Sequence, residues 1–392
     1  MLDKSKSIRL RKEKKGAIRT HTTFDVNNNL DLGVMYSPGV GEASKMVEAD
    51  PKAARQMTIK SNSVMVITNG TAVLGYGDIG SLAGLPVVEA KAALQQRFAN
   101  VDAFPICIDS KDVDEIVHTI KLISGSFGAV HLEDVKAPEC FEIMEKLKEE
   151  LDIPVYHDDQ DGTAVVVLSA LYNALKLVGK QIQKSRIVIN GAGASGIATA
   201  RLLWAAGAKS IILCDVNGIV SAENEMTYSN IYQKEIAEVV NPNHQTGTLE
   251  SAIKNADVFI GLSVGGCVSQ DMIKSMADHP IVFALANPEP EIEPKLAKEA
   301  GAAIVATGSS LFPNQVNNLL VFPGLFRGVL DSQIDKVDQP LLLNISRTIA
   351  NLVTEEELTE EDIIPSVFHP ELVESVSQCI LDYAESVNMG IY

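Results

Sequence analysis

The sequence predicts an α/β protein of two units: an N-terminal α/β domain followed by a Rossmann-type, doubly wound dinucleotide-binding domain. Three observations carry this. Short β-branched runs alternate with helix-period stretches. A glycine triplet follows one such run at the mouth of a helix, and pairs of acids follow two others. This alternation argues for parallel strands joined by crossover helices. Parallel strands also gather the loops at their carboxyl ends along one sheet edge.

In the first unit, residues 64–68, 103–108, 129–132 and 154–156 read as strands, with helices over 87–98, 113–123 and 141–150. In the second, a long helical pattern over 163–178 leads to a strand at 186–190, a helix at 194–206 and a strand at 210–214. Residues 258–262, 281–284 and 304–306 are short apolar runs of the kind buried on both faces of a parallel sheet. Helices over 341–352 and 371–387 close the chain and could pack on either unit. The boundary falls near residue 160, giving domains 1–160 and 161–392.

The 392 residues suit two ordinary domains, and a 46% hydrophobic content suffices for buried cores. A formal net charge of -18 argues against nucleic acid as a partner. The exception is a basic arm carrying Lys4, Lys6, Arg9, Arg11, Lys12, Lys14, Lys15 and Arg19. It reads as a solvated arm that could pack on an acidic neighbouring subunit, with a nucleic-acid-binding tail as the alternative. A homodimer or higher homo-oligomer is expected. Cys107, Cys140, Cys214, Cys267 and Cys379 show neither metal-ligand nor redox spacing, which suits a reducing cytoplasm. No apolar stretch follows the basic segment, and the longest apolar run, 163–175, is too short for a bilayer. The expectation is a cytoplasmic protein acting on a small molecule, with no membrane partner.

Gly191, Ala192, Gly193, Ala194, Ser195 and Gly196 form G-A-G-A-S-G directly after the 186–190 strand. The first glycine permits a tight turn, the second lets the backbone approach a pyrophosphate, and the third allows close helix–strand packing. The following helix offers free N–H groups and a positive dipole end to phosphates. Asp215 ends the next strand, where an acid would bind the adenosine ribose hydroxyls.

Glu133 and Asp134 follow one strand of the first unit, and Asp158 and Asp159 follow another. Either pair alone is an ordinary capping acid. Brought together on one sheet edge they would repel one another, and a hard divalent cation such as Mg²⁺ or Mn²⁺ resolves that repulsion.

Five strings make the pattern specific: Y-S-P-G-V at 36–40, G-T-A-V-L-G-Y-G-D-I-G at 70–80, L-E-D-V-K-A-P at 132–138, H-D-D-Q-D-G-T-A at 157–164 and F-P-N-Q-V-N-N at 312–318. In this order, over about residues 15–330, the chain resembles the short, prokaryote-type malic enzymes. The resemblance implies a malic-enzyme N-terminal domain and oxidative decarboxylation of L-malate to pyruvate, with NAD or NADP as oxidant. It places the divalent-metal ligands on Glu133, Asp134 and Asp159, the general acid on Tyr36 and the general base on Lys91. Substrate- and cofactor-contacting asparagines fall on Asn287 and Asn317. Asn69, Asp161 and the Ser309–Ser310 pair depart from the family pattern, but none is a ligand, the acid or the base.

For this chemistry, partial burial and a nearby cation should lower Lys91 from its ordinary value of about 10.4. Asp158 would orient Lys91 through a charge-assisted hydrogen bond. His131 and His157 read as packing or supporting residues. No Lys or Arg follows Asp215 until Lys234, so the ribose acid faces a 2′-phosphate without a local cation, and NAD is expected over NADP. Two rivals are a metal-dependent oxidative decarboxylase of a related hydroxy acid and a catalytically silent nucleotide-binding regulator. A substrate panel separates the first, and bound dinucleotide without turnover would mark the second.

Overall fold

The computed structural model describes residues 4–389. Residues 1–3 and 390–392, at the outer ends of the two expected domains, lie outside the described residues.

The first sheet comprises β1 (Ser63–Thr68), β2 (Asp102–Cys107), β3 (Ala129–Leu132) and β4 (Val155–His157), in the order β2-β1-β3-β4 and parallel throughout. β1 is buried at every position, as its S-V-M-V-I-T run requires of a strand covered on both faces. The helix Ser81–Ala99 lies against β1 and β2 and begins six residues before the expected start. The sequence pattern stops at Pro86, which removes one helical N–H. The helix nevertheless runs through it, with Gly84 packed so closely on β1 that a Cβ there would lie 2.9 Å from Thr68.

The second sheet comprises β5 (Arg186–Asn190), β6 (Ser210–Asp215), β7 (Gly218–Ile219), β8 (Val258–Gly261), β9 (Ile281–Ala284) and β10 (Ile304–Thr307). Its order is β10-β9-β8-β5-β6-β7, parallel except for the short antiparallel edge strand β7, which the sequence pattern does not reveal. β5 pairs with β6 on one side and β8 on the other, so the strand order reverses there. Such a switch point opens a crevice at the carboxyl ends of the strands.

The helix Phe322–Ser332 was not anticipated. It buries Phe322, Leu325, Phe326 and Val329 and packs on the Ser81–Ala99 helix and β3 of the first unit. The helix Leu372–Asn388 lies mainly against it, whereas Gln339–Asn351 packs on Thr163–Leu177 and Ala194–Ala205. The closing helices therefore serve both units, and one apolar core runs through both.

Near the N-terminus, Asn29–Met35 and Gly39–Ala49 contain no buried residue, and Leu30 and Val34 are 82% and 69% exposed. The basic arm forms the helix Lys4–Lys14, with Arg11 paired to Glu89 of the same chain at 2.8 Å. No helix among the described residues is long and apolar enough to cross a membrane.

Candidate active site

The carboxyl ends of β1, β3 and β4 form one edge, and the loops there bring the two acid clusters together. Glu133 N–H donates to Ile67 O at 2.8 Å, extending the ladder past the end of β3. Asp134 adopts a left-handed φ of 55°, and its N–H donates to Asp159 Oδ2 at 3.1 Å. Carboxylate oxygens of Glu133, Asp134 and Asp159 lie within 4.8 Å of one another. Burial, more than any neighbour, pushes all three up to about 7; nearby carboxylates add to it, and Lys91 pulls Glu133 and Asp134 part of the way back. Asp134 Oδ2 is buried and has no hydrogen-bond partner. An all-oxygen donor set with a buried, unpartnered oxygen fits a hard divalent cation. His131, Glu133 and Asp158 are equally close. That group already holds a cation, the Lys91 ammonium, so the first trio is the better fit.

Lys91 projects from the middle of the Ser81–Ala99 helix with its side chain 18% exposed. Its Nζ pairs with Asp158 Oδ2, lies 3.1 Å from Glu133 Oε2 and sits 4.9 Å from the centre of the Phe322 ring. Burial alone would lower the ammonium, but Asp158 and Glu133 outweigh it and hold Lys91 above its ordinary value. Burial by itself therefore does not give the expected depression, because two carboxylates contact the ammonium when no cation occupies the trio. Asp158 shows the complementary balance. Burial would raise its carboxyl, but the Lys91 charge and hydrogen bonds from Lys91 and Tyr156 hold it below its usual range. Tyr156 Oη donates to Asp158 Oδ1 at 2.7 Å, and Asn318 Nδ2 donates to Oδ2 at 3.0 Å.

His131 is fully buried and stacks on Phe326 with ring centres 5.1 Å apart. Its Nδ1 faces Gln95 Nε2 at 3.0 Å and its Nε2 faces Glu133 Oε2 at 3.2 Å. With the Gln95 amide donating to Nδ1, the Nε2–H donates to Glu133. Burial pushes the ring down to about 3, so it acts as a neutral support. His157 is also fully buried, and its Nδ1 accepts from Gln160 N–H at 3.3 Å. Two departures from the family pattern hold local structure: Asn69 Oδ1 accepts from Thr71 Oγ1 at 2.6 Å, and Asp161 Oδ2 from His157 N–H at 3.2 Å.

On the opposing wall, Gly191 has a φ of 114°, and a Cβ on Gly196 would lie 1.7 Å from Gly191 O. Both positions thus require glycine for the chain's own packing. Gly193 has nothing within 4 Å of an added Cβ and caps the Ala194–Ala205 helix, so its space is free for a ligand. The cleft between the walls has a volume of about 510 Å³ and is lined by Lys91, Glu133, Asp134, Asp158, Asp159, Ser195, Asn287, Asn317 and Phe322, among others. Asn317 also caps the turn that follows, its Oδ1 accepting from Leu319 N–H at 2.8 Å. The sequence reading selected Asn317 and missed Asn318, which reaches across the fold to Asp158; the doubled N-N was the only signal. A larger groove of about 740 Å³, between Gln339–Asn351 and Leu372–Asn388, holds none of the candidate residues.

Tyr36 is not among the residues lining the cleft. It ends the Asn29–Met35 helix and is 67% exposed. Its helix buries nothing against the first sheet, so within this single chain the candidate acid and Lys91 are not brought together.

The fold and the cleft together define a dinucleotide-dependent enzyme, with a Rossmann crevice on one side and a lysine–carboxylate centre on the other. The chain belongs to the malic enzyme family: "Malic enzyme, N-terminal domain" matches residues 15–148 and "Malic enzyme, NAD binding domain" matches residues 160–384. It is 48% identical to the NAD-dependent malic enzyme of Geobacillus stearothermophilus over 94% of this chain and 77% of that one. It is 46% identical to the bifunctional malic/malolactic enzyme of Bacillus subtilis over 96% of this chain and 92% of that one. The crystal structure of the NAD-dependent malic enzyme of Thermotoga maritima superposes with a TM-score of 0.93 at 41% identity, covering 97% of this chain and 99% of that one.

Proposed function

We propose that this chain oxidises L-malate with NAD and decarboxylates the product to pyruvate and CO₂, using Mg²⁺ or Mn²⁺ and working within units bounded near residue 160. The observation that carries this reading is the contact between the Lys91–Asp158 pair and the Glu133, Asp134 and Asp159 trio, in a cleft that also contains Ser195 of the glycine loop. The names of the relatives agree with it.

When bound, the dinucleotide would supply a hydride acceptor for C2 and the divalent cation would supply Lewis acidity. Glu133, Asp134 and Asp159 would hold that cation. A cation held there would engage their charge and weaken their pull on the Lys91 ammonium, favouring the neutral amine a base requires. Lys91 then takes the C2 hydroxyl proton, with Asp158 fixing its position. Loss of the C4 carboxylate leaves an enolate that needs a proton at C3. Asn287 and Asn317 offer amide groups to substrate and nicotinamide, and Gly191–Gly196 with Asp215 hold the pyrophosphate and adenosine ribose. With no Lys or Arg between it and Lys234, Asp215 favours NAD over NADP.

Tyr36 supplies the C3 proton in this reading only if a second copy delivers it. Leu30, Leu32, Val34 and Tyr36 form an exposed apolar segment among the described residues. We therefore place the protein as a homodimer in which this segment covers the other copy's cleft. The test is NADH and NADPH formation from L-malate with and without divalent cation. NADH and pyruvate in equal amounts, abolished by chelator, are expected; malate-independent behaviour or full activity in excess chelator would refute the reading.

A further inference from the structure

Gln233 belongs to neither the glycine fingerprint nor the acid clusters, yet it joins two parts of the dinucleotide crevice. It stands in the first turn of the Ile231–Val240 helix and is 4% exposed. Asn230 Oδ1 accepts its backbone N–H at 3.0 Å. Its carboxamide makes three further bonds. Oε1 accepts from Ser229 N–H at 2.7 Å, while Nε2 donates to Ala192 O at 2.8 Å and to Asp215 Oδ2 at 2.8 Å. This orientation is forced. A reversed amide would set its NH₂ against the Ser229 N–H and its oxygen against a carbonyl and a carboxylate.

The consequence falls on Asp215. Its Oδ1 accepts from Val216 N–H at 2.9 Å and its Oδ2 from Gln233. Each carboxylate oxygen thus has one protein donor and retains acceptor capacity. We propose that Gln233 is a positioning residue that sets dinucleotide selectivity, by clamping Asp215 and tying it to the pyrophosphate loop. A carboxylate free to rotate can turn from a 2′-phosphate and relieve the repulsion. A clamped one cannot, and it presents its acceptors to a ribose diol with little ordering cost. The inference rests on the assignment of Asp215 to the adenosine ribose, and the controls below separate the two.

The experiment is fluorescence titration of the purified protein with NADH and NADPH. The variants are Gln233→Met, which keeps the volume and loses both donors, Gln233→Ala, which keeps the test usable if methionine packs badly, Asp215→Ala, and each Gln233 variant combined with Asp215→Ala. Wild type should favour NADH, and Asp215→Ala should erase that preference. Either Gln233 variant should lower the NADH-to-NADPH affinity ratio about tenfold, the scale of one hydrogen bond to a charged group. The kinetic loss should fall on KM for NAD rather than on kcat. In the Asp215→Ala background the Gln233 change should leave the ratio where it is, because the effect acts through the carboxylate. Equal weakening of NADH and NADPH by the Gln233 variants, or an undiminished ratio effect without Asp215, would overturn the inference. A wild-type preference that survives Asp215→Ala would overturn the ribose assignment and this inference with it.

Discussion

Two alanine substitutions in the glycine loop should separate a residue required by the fold from one required by the cofactor. In Gly196→Ala the new methyl would sit 1.7 Å from Gly191 O, where real Cβ contacts under 3.0 Å are essentially never seen. Both partners are backbone, so no rotamer change relieves the contact, and the helix must retreat from the loop by more than about 1 Å. Overpacking of this kind costs about 3 kcal/mol, the upper end of the usual range. A displacement of about 1 Å at a binding loop also costs on the order of 10²-fold in function. In Gly193→Ala the methyl meets nothing, and φ there is -87°, which any residue adopts. Its thermal midpoint should stay within about 1 °C of wild type, because only the unfolded chain is affected. NADH affinity should nevertheless fall at least about tenfold, because the methyl occupies the approach of the pyrophosphate. Thermal melts without ligand and fluorescence titration with NADH measure the two effects. Unchanged NADH affinity in a folded Gly193→Ala protein would refute placement of the pyrophosphate at this loop.

Lys91→Ala and Tyr36→Phe should each lose malate turnover by about 10²–10⁴-fold. If Tyr36 serves the partner's cleft, mixing and re-equilibrating the two variants should restore activity toward one quarter of wild type, since half the dimers are mixed and each has one intact site; no recovery would place the acid in its own chain. Asp159→Ala should abolish Mn²⁺ binding in a direct titration while NADH binding persists, and retained Mn²⁺ binding would remove Asp159 from the ligand set. Glu133, Asp134 and Asp159 are raised to about 7 in the folded, cation-free protein, so they bind protons more strongly folded than unfolded. The stability they contribute is present in acid and lost as pH rises through about 7. The melting temperature in chelator should therefore fall between pH 5 and pH 8, and the stabilisation by added Mg²⁺ should grow over the same window.

The sequence by itself determined the strand and helix alternation. β3, β5 and β9 were legible to the residue, because each is a short apolar run bounded by turns, and periodicity is a local property. It also determined the glycine loop and the positions of the acids, because parallel strands place the following loops on one edge. The helix Phe322–Ser332 was not legible: a proline is its second residue, it follows a short turn after N-Q-V-N-N, and only its packing on the first unit shows why its phenylalanines are buried. Tertiary structure alone decided the charge state of Lys91. The carboxylates that hold its proton come from loops 42 and 67 residues away in sequence, and Coulomb interactions depend on distance in space. It likewise decided that Asn318 supports Asp158 across 160 residues, and that Gln233 reaches back to Asp215 and Ala192. Tyr36 shows the same division. Its residue type and neighbouring motif are local and readable, but the surface it meets depends on how the Asn29–Met35 helix packs, and within its own chain that helix packs on no core.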